Sequence, residues 1–79
     1  MEMNLTLFIV DNCAVCTRVK RSLEKYSSGN CEIDLVVKDI KQSPYYLAIV
    51  PALYVDETLY SYGDVDITKL NNFIESIDH

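Results

Sequence analysis

The sequence predicts an α/β fold with the element order β-α-β-α-β-β-α, in which helices flank a four-stranded mixed sheet. An apolar run over residues 5–10 is rich in β-branched residues and is followed at once by a helical pattern. The same order of strand and helix then recurs, which requires a right-handed crossover between parallel strands. Two short strands separated by two residues follow, and this spacing predicts an antiparallel hairpin. An amphipathic helix completes the chain.

Length and composition indicate one small folded domain. The chain has 79 residues, of which 49% are hydrophobic and 24% are charged, as in globular proteins. We therefore expect a single domain over residues 1–79. The longest apolar run is too short to cross a bilayer, and the N-terminus lacks the pattern of a signal peptide. We expect a cytoplasmic protein that has no membrane partner.

Charge and cysteine count narrow the classes of function. Seven basic residues against twelve acidic ones give a formal net charge of −5. Because such a surface repels phosphate backbones, we expect no nucleic-acid partner. Three cysteines are too few for a disulfide-stapled secreted scaffold, and an odd number cannot all pair internally. Two of them have Cys-x-x-Cys spacing, which suggests redox chemistry or metal binding.

Local patterns predict the first three elements. The apolar run over residues 5–10 indicates a strand that is buried on both faces. A helix is predicted over residues 13–26, with Asp11 and Asn12 as suitable N-cap residues. Its buried stripe repeats at three- and four-residue spacing and comprises Cys16, Val19, Leu23 and Tyr26. A second strand over residues 31–40 begins with Cys31, which we expect to be a small buried hydrophobe.

The second half of the chain is predicted in the same way. Ser43 and Pro44 indicate the start of a short helix over residues 45–49. Strands over residues 52–55 and 58–62 are joined by a two-residue turn. Alternation along the latter strand predicts that Tyr60 and Tyr62 lie on one face, where they either pack across the hairpin or form a rim that docks a protein substrate; we favour packing. Asp66 is the predicted N-cap of the final helix. The apolar face of that helix comprises Ile67, Leu70, Phe73, Ile74 and Ile77.

The most specific feature is Cys13-Ala14-Val15-Cys16, at the junction of the first strand and helix. Residues three apart on a helix share a face, so the two thiols can join with little backbone movement. Unpaired N–H groups and the helix dipole stabilise a thiolate at the position of Cys13. Cys16 lies one turn further on, in the buried stripe, and is less exposed. We therefore expect Cys13 to attack a disulfide and Cys16 to resolve the mixed disulfide.

Two other interpretations of the cysteine pair stay open. The pair could be half of a zinc site, but a structural site needs four ligands, and the other candidates of the usual type are Cys31 and His79. The two cysteines could also be unrelated core residues, since buried free cysteine is common. Neither alternative explains why the pair begins a helix directly after a buried strand. We expect no metal and no bound cofactor.

Val50 and Pro51 precede the third strand, at a position where proline cannot donate a ladder hydrogen bond. A strand, Cys-x-x-Cys and a helix, followed later by Val-Pro and a strand, resembles the thioredoxin superfamily over residues 5–77. The short length is similar to that of its glutaredoxin branch. The resemblance implies a thioredoxin-like fold and a cis Val50–Pro51 bond. It also implies that Pro51 packs beside the cysteine pair and that the backbone of Val50 pairs with an extended substrate.

Glutathione is not an expected partner. Glutaredoxins hold it with a lysine three residues before the nucleophile, where this chain has Val10. Their glycine-glycine and aspartate pair is retained only in part, as Gly63 and Asp66. With Asp11 beside the motif and a net charge of −5, the site is electrostatically poor for an anionic peptide. We interpret Asp66 as a helix cap.

The cysteine pair and the resemblance together imply a small monomeric thiol–disulfide oxidoreductase. Its partners are a protein that carries a disulfide and an external reductase. Tyr45 and Tyr46 directly precede the Val-Pro segment, and tyrosine is enriched at interfaces, so these two either pack internally or dock the substrate. Arg18 either lies on the solvated helix face or helps keep a thiolate charged. The alternative functions are a non-catalytic protein-binding module of the same fold and a metal-handling protein that uses the same thiols.

Overall fold

The computed structural model describes residues 3–42 and 50–77. In these two ranges the chain forms four strands, two α-helices and one 3₁₀ turn. The strands are β1 (Met3–Ile9), β2 (Ile33–Asp39), β3 (Ala52–Val55) and β4 (Thr58–Tyr62). The helices are α1 (Ala14–Ser28) and α2 (Ile67–Ile77), and the 3₁₀ turn is Ile40–Gln42. The short helix predicted over residues 45–49, with Ser43 and Pro44, lies outside the described residues.

The strands form one mixed sheet in the order β2-β1-β3-β4. β1 runs parallel to β2 and antiparallel to β3, and β3 and β4 form the predicted hairpin. Phe8 near the end of β1 is paired with Ala52 at the start of β3. Consequently β1 and β2 end, and β3 begins, at the same edge of the sheet. The predicted α/β fold with a four-stranded mixed sheet is confirmed.

Both helices pack on one face of the sheet. Leu5 and Leu7 of β1 are fully buried there, in one cluster with apolar residues of both helices. Those helix residues are Val19, Leu23, Leu70 and Ile74. On the opposite face Phe8 packs edge-on against Tyr54, with ring centroids 5.7 Å apart. The prediction that the strand over residues 5–10 is buried on both faces therefore holds at Leu7 and Phe8, whereas Thr6 is only partly buried. The observed strand begins earlier, and Asn4 in this added part is exposed.

The second strand begins two residues later than predicted. Gly29 follows the last residue of α1, and the amide of Ile33 donates to the carbonyl of Asn30 at 3.0 Å, which closes a turn. This turn keeps Cys31 out of the sheet. Cys31 is exposed with a free thiol, so the prediction of a small buried hydrophobe is wrong. Within β2 the predicted alternation is present, since Ile33, Leu35 and Val37 are partly buried against the core.

A bulge in β4 changes the faces of its two tyrosines. Tyr54 is paired with Leu59 and Leu53 with Ser61, so Tyr60 is an extra residue opposite β3. Tyr60 packs on the helix side of the sheet and against Phe73 of α2, with ring centroids 4.9 Å apart. Tyr62 lies opposite Ala52, which belongs to the cluster on the other face. The prediction that the two tyrosines share a face is wrong, because simple alternation fails at a bulge.

Candidate active site

The loop between β1 and α1 places Cys13 at the N-terminus of α1. Asn12 has a φ of 61°, a left-handed conformation that asparagine tolerates better than most residues. Cys13 is extended, and its carbonyl accepts a hydrogen bond from the amide of Thr17 at 3.1 Å. The Cys13 Sγ also accepts from the amide of Cys16 at 3.1 Å. Cys13 itself is therefore the N-cap, instead of Asp11 or Asn12, which the sequence favoured.

The two thiols of the pair have different environments. Cys13 is partly buried, whereas Cys16 is only 1% exposed. Hydrogen bonds from the Cys16 thiol and from the Cys16 amide lower the pKa of Cys13 below its ordinary value. Burial, and next the hydrogen bond with Cys13, raise the pKa of Cys16. The pair therefore holds one partly exposed sulfur whose pKa is lowered and one buried sulfur whose pKa is raised.

This difference has a direct chemical use. The thiolate is the nucleophile in thiol–disulfide exchange, and an accessible thiol with a lowered pKa supplies more of it. A neighbouring thiol one helical turn away can then attack the mixed disulfide, without a second protein molecule. The arrangement can thus give up two electrons as a dithiol and take up two as a disulfide.

Val50 and Pro51 lie at the edge of the sheet where β1 ends. The Val50–Pro51 peptide bond is cis, and Pro51 is fully buried directly before β3. Its carbonyl accepts a hydrogen bond from the amide of Gly63 at 2.7 Å. Since β1 leads into the loop that ends at Cys13, the topology brings the Val50–Pro51 segment and Cys13 to the same end of the molecule. Tyr45 and Tyr46, the other two predicted substrate residues, lie outside the described residues.

Two further charged residues at this end have defined partners. The Arg18 guanidinium donates to the Asp64 carboxylate at 2.7 Å, and both side chains are largely exposed. Arg18 is thus directed toward the turn after β4. The Asp66 carboxylate accepts from the amides of Thr68 and Lys69, at 2.9 and 3.2 Å. Its predicted role as the cap of α2 is confirmed.

No motif in the sequence marks Asp64 as a residue of this site. Its partner Arg18 is 46 positions away, and a charge in a turn carries no local sign of a distant partner. The only signal was its place directly after Gly63, which has a φ of 72° and so favours glycine. Glycine at this point fixes where the turn begins, but the sequence does not show what the next side chain reaches.

Within residues 3–42 and 50–77, no three His, Cys, Asp or Glu side chains are placed together so that they could hold a metal ion. His79, a ligand candidate from the sequence, lies outside these residues. The same part of the chain contains no helix with the length and apolar character needed to span a membrane.

No protein-family model and no curated protein matches the sequence. Solved structures do match it. Trichomonas vaginalis thioredoxin aligns with a TM-score of 0.75 at 18% identity, covering 95% of this chain and 78% of that one. The chain has the thioredoxin fold. Oxidised mitochondrial thioredoxin 3 of Saccharomyces cerevisiae aligns with a TM-score of 0.69 at 18% identity, over 95% of this chain and 78% of its own.

A third thioredoxin-fold structure gives the same result. A mutant thioredoxin from Halobacterium salinarum aligns with a TM-score of 0.73 at 21% identity, over 95% of this chain and 74% of that one. The fold that the sequence resemblance implied is therefore confirmed. At these identities the similarity establishes the thioredoxin fold alone.

Proposed function

We propose that this thioredoxin-fold protein is a small thiol–disulfide oxidoreductase that reduces or exchanges disulfides in a partner protein. One observation carries the proposal. The accessible Cys13 sulfur caps α1 and accepts hydrogen bonds that lower its pKa, while buried Cys16 has a raised pKa. An unrelated pair of core cysteines would not require one sulfur to cap the helix that carries the other.

The proposed reaction has two steps. The Cys13 thiolate attacks one sulfur of the substrate disulfide, forms a mixed disulfide and releases the other substrate sulfur as a thiolate. Cys16 then gives up its proton and attacks the Cys13 sulfur, which forms the Cys13–Cys16 disulfide and releases the second substrate thiolate. Two electrons pass to the substrate, whose thiolates take up protons. An external dithiol reductase returns the electrons, and no bound cofactor takes part.

Substrate binding is proposed at the Val50–Pro51 segment. Pro51 has no N–H, and the backbone N–H and C=O of Val50 would pair with an extended segment of the substrate, as in β-strand addition. We propose Tyr45 and Tyr46 as an amphipathic rim that docks the same protein substrate. Glutathione is not proposed as a substrate, because Asp11 and the net charge of −5 disfavour an anionic peptide. We propose a cytoplasmic monomer.

Trapping of the mixed disulfide tests the proposal. When Cys16→Ser is mixed with insulin as the disulfide substrate, it should accumulate a mixed disulfide at Cys13, visible on a non-reducing gel. Both variants also carry Cys31→Ser, because the exposed Cys31 thiol could form mixed disulfides of its own. The matched Cys13→Ser variant should form none, because its remaining thiol, Cys16, is buried and has a raised pKa. Equal trapping by the two variants contradicts the assignment of roles.

A metal measurement on the same preparation separates the alternatives. The reduced wild-type protein should lose two thiols reversibly on oxidation, with no zinc bound. Stoichiometric zinc would instead indicate a metal-handling protein that uses the same thiols. Absent or irreversible thiol exchange would indicate a non-catalytic binding module of this fold.

A further inference from the structure

The turn that follows β4 is held from two sides. On one side the Gly63 amide donates to the Pro51 carbonyl at 2.7 Å. On the other side the Asp64 carboxylate accepts from the Arg18 guanidinium at 2.7 Å. Two adjacent residues therefore join the segment before β3 to helix α1.

Pro51 and Gly63 share a single hydrogen bond because proline has no N–H to donate. Residues that face each other in a hydrogen-bonded antiparallel pair exchange two N–H···O bonds. Pro51 has no N–H, so it can only accept, and the pair that it forms with Gly63 has one bond. The ladder thus ends weakly at the point where the proposed substrate-binding segment begins. The ion pair between Arg18 and Asp64 therefore contributes more to holding this turn than it would if the ladder beside it had both of its hydrogen bonds.

Helix α1 carries both Cys13, as its N-cap, and Arg18. A bond between Arg18 and the turn therefore fixes the turn relative to the nucleophile. The connection runs from α1 through Arg18 and Asp64 to Gly63, and from Gly63 to Pro51.

We propose that Arg18 and Asp64 are positioning residues, which hold the Val50–Pro51 segment at a fixed place relative to Cys13 and so determine how firmly a protein substrate is bound. This inference rests on the proposed thiol–disulfide exchange. Neither side chain takes part in the chemistry. Loss of the ion pair loosens the backbone that pairs with the substrate and leaves the sulfur environment intact, so KM for a protein disulfide rises and kcat changes little.

The exposure of the Arg18 and Asp64 side chains limits how large an effect on KM can be expected. Arg18 and Asp64 have side-chain exposures of 58% and 63%, and exposed ion pairs contribute little because water and salt screen them. A rise in KM of about two- to fivefold is therefore expected for either single variant. The same screening predicts that raised salt weakens substrate binding by the wild type and has less effect on Arg18→Ala.

The first readout does not depend on redox activity. In Arg18→Ala and Asp64→Ala the Gly63 amide should exchange with solvent about two- to fivefold faster by NMR than in the wild type, since its hydrogen bond to Pro51 opens more often. Arg21→Ala is the matched control, because Arg21 is an exposed arginine on the same helix, and it should leave Gly63 exchange unchanged. The double charge reversal Arg18→Asp/Asp64→Arg should restore slow exchange.

The second readout is KM against kcat with insulin. The two single variants should raise KM, and the double reversal should bring it back toward the wild type. Unchanged Gly63 exchange in both single variants overturns the proposal. So does a shift of the Cys13 alkylation profile to higher pH in Arg18→Ala, because Arg18 would then act on the thiolate. If the wild type shows no disulfide exchange but Gly63 exchange responds as expected, the proposed function fails while the structural link between α1 and Pro51 is supported.

Discussion

Asp66 gives a sharp test, because a capping role and a ligand role predict different results. Its carboxylate accepts from the amides of Thr68 and Lys69 at 2.9 and 3.2 Å, so Asp66→Ala leaves two helix N–H groups without their acceptor. Loss of an N-cap aspartate reduces the free energy of unfolding by about 1 kcal/mol, within roughly 0.5–2. For a domain of this size that loss lowers Tm by about 4–8 °C.

Asp66→Asn is the matched control, because it keeps an oxygen at the capping position and removes only the charge. Its loss should be the smaller of the two, at most the roughly 0.3–1 kcal/mol that a charge contributes near a helix N-terminus. Urea unfolding followed by far-UV circular dichroism, with the thiols kept reduced, measures both variants. If Asp66→Ala is as stable as the wild type and only glutathione-dependent turnover falls, Asp66 is a ligand residue and the capping interpretation is refuted.

Two further predictions concern the thiols and the core. The alkylation rate of Cys13, followed by mass spectrometry, should begin to rise at a lower pH than the rate of an ordinary cysteine. Cys16→Ala should move this rise to higher pH, because the thiol that donates a hydrogen bond to Cys13 is gone. An unchanged pH profile in Cys16→Ala would contradict this cause. Leu23→Ala should lower the free energy of urea unfolding by about 2–5 kcal/mol, since Leu23 is fully buried in the cluster with β1. Leu35→Ala in the edge strand β2 is the control, and an equal loss there would place the core elsewhere.

The elements that sequence predicts well are those set by local periodicity. The bounds of β3 and β4 agree with prediction, because a two-residue turn fixes both strand ends. Three members of the predicted stripe of α1, Cys16, Val19 and Leu23, are buried, and the fourth, Tyr26, is partly buried against the core. Cys31 and Tyr60 were placed wrongly for a related reason. The turn closed by the Asn30 carbonyl and the bulge in the hairpin each interrupt the two-residue alternation of side chains along a strand. The alternation pattern of one strand does not reveal such an interruption, because it depends on how that strand pairs with its neighbour.

In the candidate site, too, the features set by local spacing follow from the sequence, whereas those that depend on distant contacts do not. Cys13 and Cys16 are three residues apart, so their separation on a helix follows from the sequence. The cap at Cys13 was predicted one or two positions too early, because Asp11 and Asn12 have the better intrinsic capping preference. The left-handed conformation of Asn12 gives the loop one more residue before the helix. Contacts between distant positions, such as that of Arg18 with Asp64, depend on the completed fold.

The capping role of Cys13 connects the helix to the redox state. Its sulfur accepts the Cys16 amide most strongly as a thiolate, because a hydrogen bond to an ionised acceptor is about twice as strong as one to a neutral acceptor. In a disulfide the sulfur is neutral, so the first turn of α1 loses part of its cap on oxidation. In the proposed thiol–disulfide exchange, the cap would therefore stabilise the reduced form relative to the disulfide and make the pair more oxidising. Burial raises the pKa of the other thiol, Cys16, and so favours its protonated form over its thiolate. In the proposed exchange, the cap at the start of α1 and the burial of Cys16 therefore both act on the potential of the pair.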